Sequence, residues 1–226
     1  MNIAIVPARS GSKRIKNKNI KKFLGVPIIE RTLKNLFKMK IFDEVVVSSD
    51  SKKILRIASK KFPIRQIQRP ESLSTDYAGT SDVVVHAIKK LNAQKIKNIF
   101  CIYPTSIFLK KRHVINAIKK LKNKKTSFIF TASQANKSFL RSFYIDKKKK
   151  LKMFNNKFYN YRTQDLKDLY FDVGQLYLAN AKTWIDNKKI FNKDSKFIEL
   201  ERNSVYDIDY PKDWKFAELI YKYNAK

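Results

Sequence analysis

The residues whose types and spacing suggest chemistry lie at the start of the chain. The segment Pro7-Ala8-Arg9-Ser10-Gly11-Ser12-Lys13-Arg14-Ile15-Lys16-Asn17-Lys18-Asn19 gathers Arg9, Lys13, Arg14, Lys16 and Lys18 around one glycine, directly after the apolar run Ile3 to Val6. Backbone N–H groups about Gly11 and Ser12 can wrap phosphate oxygens while Arg9, Lys13 and Lys18 neutralise charge, so the segment is expected to cradle a polyphosphate. It fits neither GxxxxGKS/T nor GxGxxG, which disfavours a hydrolytic motor or a hydride-transfer enzyme. Other chemistry is sparse. His86 and His113 fall inside or at the start of helical patterns and are expected to have structural roles. No Cys/His spacing suits zinc. Cys101, the one cysteine, sits in Ile99-Phe100-Cys101-Ile102 and is expected to be a buried small hydrophobe in a reducing compartment.

Positioning such a loop requires elements behind it. Short β-rich runs alternate with helical periodicity: strands are predicted at Ile3 to Val6, Glu44 to Ser48, Ile64 to Ile67, Ile99 to Tyr103 and Ser127 to Thr131, with helices over Ile28 to Phe37, after Ser49-Asp50-Ser51, over Val83 to Leu91 and over Val114 to Leu121. Strands separated by helices of this length pair in parallel through right-handed crossovers. The expected fold is α/β, a Rossmann-like open, mainly parallel sheet with helices on both faces. The rhythm breaks between about residues 134 and 170, a Lys-rich and aromatic appendage. It returns at Gln175 to Leu178, Ala181 to Ile185, Phe197 to Leu200 and a last helix from Pro211. Ligands of open α/β sheets lie beyond the carboxyl ends of the strands. The candidate stretches are therefore Arg9 to Asn19, Ser48 to Asp50, Arg69 to Thr80, Pro104 to Ser106 and Asp172 to Gln175, joined by Asp207 and Asp209 if their loop returns to that edge.

PARSGSKRIKNKN resembles the signature loop of the CMP-sialic acid synthetases, cytidylyltransferases that activate nine-carbon 2-keto acid sugars. RPESLSTDYAGTSD (Arg69 to Asp82), YPTSIFL (Tyr103 to Leu109) and YDIDYPKDW (Tyr206 to Trp214) are similar to further segments of that family in order and spacing. Within it, YRTQDLKDLYFDVGQLYL (Tyr161 to Leu178) most resembles the branch that acts on pseudaminic acid. The likeness implies a nucleotide-diphospho-sugar transferase type of fold, one domain over 1–226, with about 134–170 as a protrusion used for homodimerisation. It implies that Arg9, Ser10, Gly11, Ser12, Lys13, Lys18 and Asn19 meet the phosphates and ribose of CTP, and that Arg69, Ala78 and Thr80 frame the cytosine. Tyr103, Thr105, Ser106, Arg162, Gln164, Asp172 and Gln175 would face the sugar acid, Arg162 and Gln164 from the protrusion and in reach of a partner's site. Asp207 and Asp209 would hold Mg²⁺, a hard ion commonly bound by one or two carboxylates plus substrate phosphates. On an extended segment acids at i and i+2 share a face, leaving Ile208 to point away. Arg9, Lys18 and Asp209 would carry catalysis of an attack by the sugar's anomeric hydroxyl on the α-phosphate, releasing pyrophosphate.

Departures from the family pattern fall at the sugar end. Tyr103 stands where sialate synthetases have Gln before Pro-Thr-Ser, replacing an amide by a phenol; Ile107 stands for a Pro, and Lys110 follows Leu109 where the family usually places an Arg earlier. N-acetylneuraminate and legionaminate remain alternatives to pseudaminic acid, and a sister family acts on keto-deoxyoctonate. A different class of reading comes from charge. The 226 residues carry 50 Lys plus Arg against 19 Asp plus Glu, a formal +31, which invites a nucleic-acid partner. Yet 40 of the 50 are Lys, scattered in pairs along the whole chain, which reads as a solvated face. No specific nucleic acid and no membrane is expected as a partner. MNIAIVPARS is no signal peptide, no apolar run approaches membrane-spanning length, and a cytoplasmic soluble protein is expected.

Overall fold

The computed structural model describes residues 1–91, 96–186 and 189–224. Its elements in chain order are β1 (Asn2–Pro7), β2 (Lys22–Phe23), β3 (Val26–Pro27), α1 (Ile28–Met39), β4 (Glu44–Ser49), α2 (Lys52–Ser59), β5 (Arg65–Gln68) and α3 (Thr80–Lys90). There follow β6 (Asn98–Ile102), α4 (Lys111–Leu121), β7 (Ile129–Ala135), β8 (Phe143–Ile145), β9 (Leu151–Met153), β10 (Leu169–Asn180), α5 (Ala181–Ile185), β11 (Lys196–Glu199) and α6 (Pro211–Asn224). Seven strands form one sheet in the order β11-β7-β10-β6-β1-β4-β5. β1 runs parallel to β4 and β6, β4 to β5, and β7 to β11. The mainly parallel expectation holds, with one exception: β10 inserts antiparallel between β6 and β7.

Alternation along the strands divides the core. Ile3 and Ile5 of β1 face a layer built from Val84, Ala87 and Ile88 of α3 and Trp184 of α5. Ala4 and Val6 face Ile29 and Leu33 of α1, Leu55 of α2 and Val114 of α4. Burial on both faces is why these strands read as continuous apolar runs. α1 stops at Lys40, whose backbone turns left-handed (φ 53°). α2 starts where Ser51 accepts the Ile54 N–H at 3.4 Å, as the Ser-Asp-Ser stretch predicts. Among the described residues no helix is long and apolar enough to cross a membrane.

A third apolar cluster lies under the loops and not under the sheet. Ile15 from the first loop, Ile107 and Phe108 after β6, Ile208 between the two acids, and Trp214 of α6 pack with Phe23 and Ile28. Phe23 is fully buried, its ring edge-on to Trp214 and Tyr221, both at 5.6 Å between centroids. Burying such a side chain stabilises by about 2–3 kcal/mol, and here it locks three separate loops to one another. The short β2–β3 hairpin that carries Phe23 is invisible to periodicity. Leu24 (φ 47°) and Gly25 (φ 82°) turn it, with Arg31 holding the Phe23 and Leu24 carbonyls at 2.6 Å.

The stretch from residue 134 to 170 contributes the end of β7 and the start of β10, and between them projects the β8–β9 hairpin. Its Lys147 to Lys150 run is the hairpin turn: Asp146 accepts the N–H groups of Lys148 and Lys150 at 2.8 and 3.0 Å.

His113 has a structural role. It is buried at the start of α4, where its Nδ1 accepts the Lys110 N–H at 3.2 Å. Burial, reinforced by Arg112 and Lys110, lowers its pKa to about 4. The folded value lies below the ordinary one near 6.5, so the stability this neutral imidazole contributes is complete above pH 6.5 and is lost as pH falls towards 4. Between about pH 6.5 and 5 the loss amounts to about 2 kcal/mol. Urea unfolding at those two pH values should show that much less pH dependence in His113→Gln than in the native chain. Equal slopes would mean that His113 titrates as a free imidazole.

Candidate active site

Strand order turns at β1, with β4 and β5 added on one side and β6 on the other, and this is where an open α/β sheet leaves a crevice. A cleft of about 610 Å³ opens there beyond the carboxyl ends of β1 and β6. Of the residues predicted from sequence, Arg9, Ser12, Lys13, Lys18, Asn19, Arg69, Ala78, Thr80, Tyr103, Thr105 and Asp209 line it.

One wall is cationic. Lys18 Nζ donates to the Ile208 carbonyl at 2.8 Å and lies 3.3 Å from Asp209, tying the first loop to the acidic loop 190 residues away. Arg9 and Lys13 both reach Asp76 across the cleft, at 2.8 and 2.5 Å. Lys13 first, then Arg9, holds the Asp76 carboxyl below the usual carboxylate range. Asn19 is buried and donates to the Arg9 carbonyl at 2.8 Å, which fixes the loop's exit. Ser10 gives both its N–H and its hydroxyl to Asp50, and the Ser12 N–H turns back to the Ser10 carbonyl. With those two amides used internally, the charge on this wall is carried by side chains. Gly11 has open space where a Cβ would sit.

Arg69 is the buried cation of the site, 4% exposed, with Nε donating to Ser74 at 2.9 Å and Nη2 4.0 Å from Asp50. Burial lowers its pKa, opposed by Asp50. Asp50 thus anchors both the first loop and Arg69.

The acidic loop behaves as its alternation predicts. Ile208 is buried in the loop cluster, so Asp207 and Asp209 turn outwards. Asp209 is paired with Arg14 at 2.8 Å and with Lys18. It is not the cap of α6: Asp213 does that, accepting the N–H groups of Asp209 and Tyr210 at 3.1 and 2.7 Å. Desolvation, then the charge of Asp209, raises the pKa of Asp207. A carboxylate disfavoured as an anion by burial and by a neighbouring acid, as Asp207 is, is relieved by a cation; Asp209 lines the cleft, whereas Asp207, two residues away, does not, and carboxylate oxygens of this kind suit a hard ion that takes its other ligands from phosphates and water. Among the described residues no group of three or more His, Cys, Asp or Glu forms a closed metal site. The donor set therefore fits Mg²⁺ held partly by substrate.

At the other end, Tyr103 and Thr105 face the cleft while several predicted partners do not. Ser106 and Gln175 are buried beneath it. The Ser106 hydroxyl donates to the Gln175 carbonyl at 2.8 Å, and Gln175 Nε2 donates to the Ser204 carbonyl at 2.8 Å. Asp172 is held within β10 by Tyr177 and the Gly174 N–H. Arg162 and Gln164 lie exposed near the protrusion's base, Arg162 paired with Asp165 at 2.9 Å, and neither lines the cleft of this chain.

Asp76 and Arg14 line the cleft and were passed over by sequence reasoning, as was Tyr177, which packs against Tyr103 behind it. Asp76 and Arg14 lie inside candidate stretches, and an acid opposite a cationic loop is a signal that could have been used. Tyr177 had none, because its relation to Tyr103 arises only when β10 pairs with β6.

A family model described as cytidylyltransferase matches residues 3–222. The pseudaminic acid cytidylyltransferase of Campylobacter jejuni is 38% identical over 225 residues, covering 99% of this chain and 97% of that one. The N-acylneuraminate cytidylyltransferase of Escherichia coli is 27% identical over 96% of this chain and 51% of its own length. A CMP:2-keto-3-deoxy-manno-octonic acid synthetase solved in complex with CTP superposes with a TM-score of 0.73 over 99% of both chains, at 12% identity, a likeness of fold. With a model spanning almost the whole chain and a relative this similar from end to end, the chain belongs to the cytidylyltransferase family of nucleotidyltransferases.

Proposed function

We propose that this enzyme joins CTP to pseudaminic acid, giving the CMP-sugar and pyrophosphate. The observation that carries the reading is the single cleft in which first-loop cations, the Asp209 carboxylate and the Tyr103–Thr105 end meet; the 38% identity to a pseudaminic acid cytidylyltransferase favours that acid over N-acetylneuraminate, legionaminate or keto-deoxyoctonate. In the reaction the anomeric oxygen forms a bond to the α-phosphorus, the α–β anhydride bond breaks, and the hydroxyl proton leaves to solvent. Arg9, Lys13 and Lys18 hold the triphosphate and neutralise its charge, Arg69, Ala78 and Thr80 frame the base, and Asn19 keeps the loop closed beneath the ribose. Catalysis then rests on positioning and on fixed positive charge where negative charge grows. Asp207 and Asp209 would hold Mg²⁺, which when bound supplies further neutralisation of the phosphates. For CTP to enter, its phosphates displace Asp76 from Arg9 and Lys13, an exchange of one anion for another.

The test is pyrophosphate release with CTP and Mg²⁺, offering pseudaminic acid, N-acetylneuraminate, legionaminate and keto-deoxyoctonate separately. Release with pseudaminic acid above the others is expected; release with only another acid moves the substrate, and none with any acid removes the reading. The exposed Phe143, Ile145, Leu151 and Phe154 around the β8–β9 hairpin support a second copy of the chain as their cover. A solution mass of one chain at micromolar concentration would remove that part of the proposal.

A further inference from the structure

A second cavity, of about 630 Å³, shares part of the first loop with the cleft: Arg14 and Ile15 line both. Its walls come from three places. The chain from Arg14 to Lys22 forms one, bent by Asn17 in the left-handed region (φ 55°) and by the 3₁₀ turn Lys18–Ile20. Lys53 and Ile57 form the second, four residues apart and so on one face of α2. Pro27 of β3 and Pro211, the first residue of α6, form the third. Ile15 is buried and Ile20, Pro27 and Ile57 are half-buried, whereas Arg14, Lys16, Lys21, Lys22 and Lys53 are exposed. Apolar side chains therefore make the floor of this groove and cations its rim.

The rim is electrostatically unbalanced. Among the described residues no Asp or Glu lines the groove, and none forms an ion pair with Lys16, Lys21, Lys22 or Lys53; Lys21 rests over the Trp214 ring at 4.9 Å. Lys53 adds to the imbalance. It sits in the first turn of α2, which holds no acid and where the helix dipole already presents its positive end. Lysines scattered over a flat surface each keep their water and counterions. Here five cations converge on apolar side chains, so a ligand that joins negative charge to apolar surface gains from both. An inorganic ion gains from the rim alone, and a neutral apolar molecule from the floor alone. The volume is that of a small-molecule site.

We propose that this groove is a second ligand site, for a small organic anion: a phosphate, sulfonate or carboxylate carried on an apolar body. Arg14 joins it to the cleft. In the free chain the Arg14 guanidinium pairs with Asp209 at 2.8 Å and lies over the Tyr210 ring at 5.3 Å, while the side chain stays half exposed. An anion in the groove competes with Asp209 for that guanidinium. By linkage, removing the Asp209 charge strengthens binding in the groove by the factor through which the pair had weakened it. None of this depends on which acid the cleft takes.

The test follows the fluorescence of anilinonaphthalene sulfonate, an aromatic anion, titrated with the whole chain. The native chain, Lys22→Glu and Lys53→Glu are compared with Lys13→Glu in the cleft and Lys147→Glu on the hairpin turn. Each groove reversal is expected to weaken binding about 10-fold, and each control by less than about 2-fold. Lys22 and Lys53 hold no ion pair, and Lys53→Glu places an acid in the first turn of α2, so neither variant should lower the thermal midpoint. Phenyl phosphate is expected to displace the dye at about 10-fold lower concentration than inorganic phosphate, the contribution of a partly buried ring. Asp209→Asn is expected to tighten dye binding about 3-fold, the strength of an exposed ion pair. Groove reversals that bind like the native chain, or binding lost in Lys13→Glu or Lys147→Glu instead, overturn the site. Equal displacement by the two phosphates overturns the organic class of ligand, and unaltered binding in Asp209→Asn overturns the link through Arg14.

Discussion

Asp209→Ala is expected to reduce the rate of Mg²⁺-dependent pyrophosphate release by about 10²–10³-fold, the usual effect of deleting one charged group at a phosphoryl-type transition state. Two roles end together in this variant. The cleft loses the carboxylate proposed to hold the cation, and Lys18 and Arg14 lose the acid that they share in the free enzyme. The fold should survive, because Asp213 and not Asp209 caps α6 and because Ile208, which anchors the loop, is untouched. A thermal midpoint close to that of the native chain alongside the collapsed rate is the expected pair of results. Raising Mg²⁺ should recover part of the rate in Asp209→Asn, which keeps one oxygen donor, more than in Asp209→Ala. Undiminished turnover in Asp209→Ala would remove the metal from this loop.

Lys18→Ala is the second large effect, expected at about 10²-fold in kcat/KM for CTP. The ammonium group holds the first loop to the Ile208 carbonyl and stands beside Asp209, so besides the phosphate contact proposed for it, it straps together two segments that sequence separates widely. Its removal should raise KM for CTP as well as lower kcat, since charge present in the ground state and geometry needed in the transition state disappear together. Lys18→Arg is expected to recover less than half of the loss in free energy. A guanidinium is too broad to meet one carbonyl and one carboxylate at the spacing that the compact ammonium meets. An unchanged response to CTP in Lys18→Ala would move the triphosphate away from the first loop.

The salt dependence of the enzyme separates these effects from its general charge. The lysines outside the cleft are scattered over a solvated surface, so binding to nonspecific DNA should fall steeply with salt whereas turnover should fall gently. Asp209→Ala should leave the DNA behaviour as it was.

Much of this molecule was legible in its residues. Doubly covered strands declare themselves as apolar runs, as at Ile3 to Val6 and Ile99 to Ile102, because both faces of each are buried. Helix starts were readable wherever a local side chain closes them, as Ser51 does for α2. The first loop, Arg69, Thr80, Thr105 and Asp209 could be nominated because open α/β sheets expose their carboxyl edge, and the alternation Asp207-Ile208-Asp209 already implied that the acids turn away from the core. These are properties of short segments, and short segments carry them in their own order of residue types.

Tertiary structure decided the rest. No periodicity reveals that β10 enters antiparallel between β6 and β7, since the same run Leu176 to Ala179 would be buried in either direction. The register shift in β10 that brings Gly174 against Tyr103, and the bonds of Thr80 to Tyr103 and of Tyr177 to Asp172, exist only once that pairing is made. Ser106 and Gln175 carry polar groups that the residue order assigns to a ligand, yet the fold spends them on joining two loops beneath the cleft. Asp76 and Asp50 meet the first loop only across the crevice. By itself, then, the amino-acid sequence determined which segments become strands, helices and edge loops, because those choices turn on local pattern and burial. Which polar groups face a substrate and which hold one another was settled by contacts between distant segments, whose energies depend on a geometry that no single segment contains.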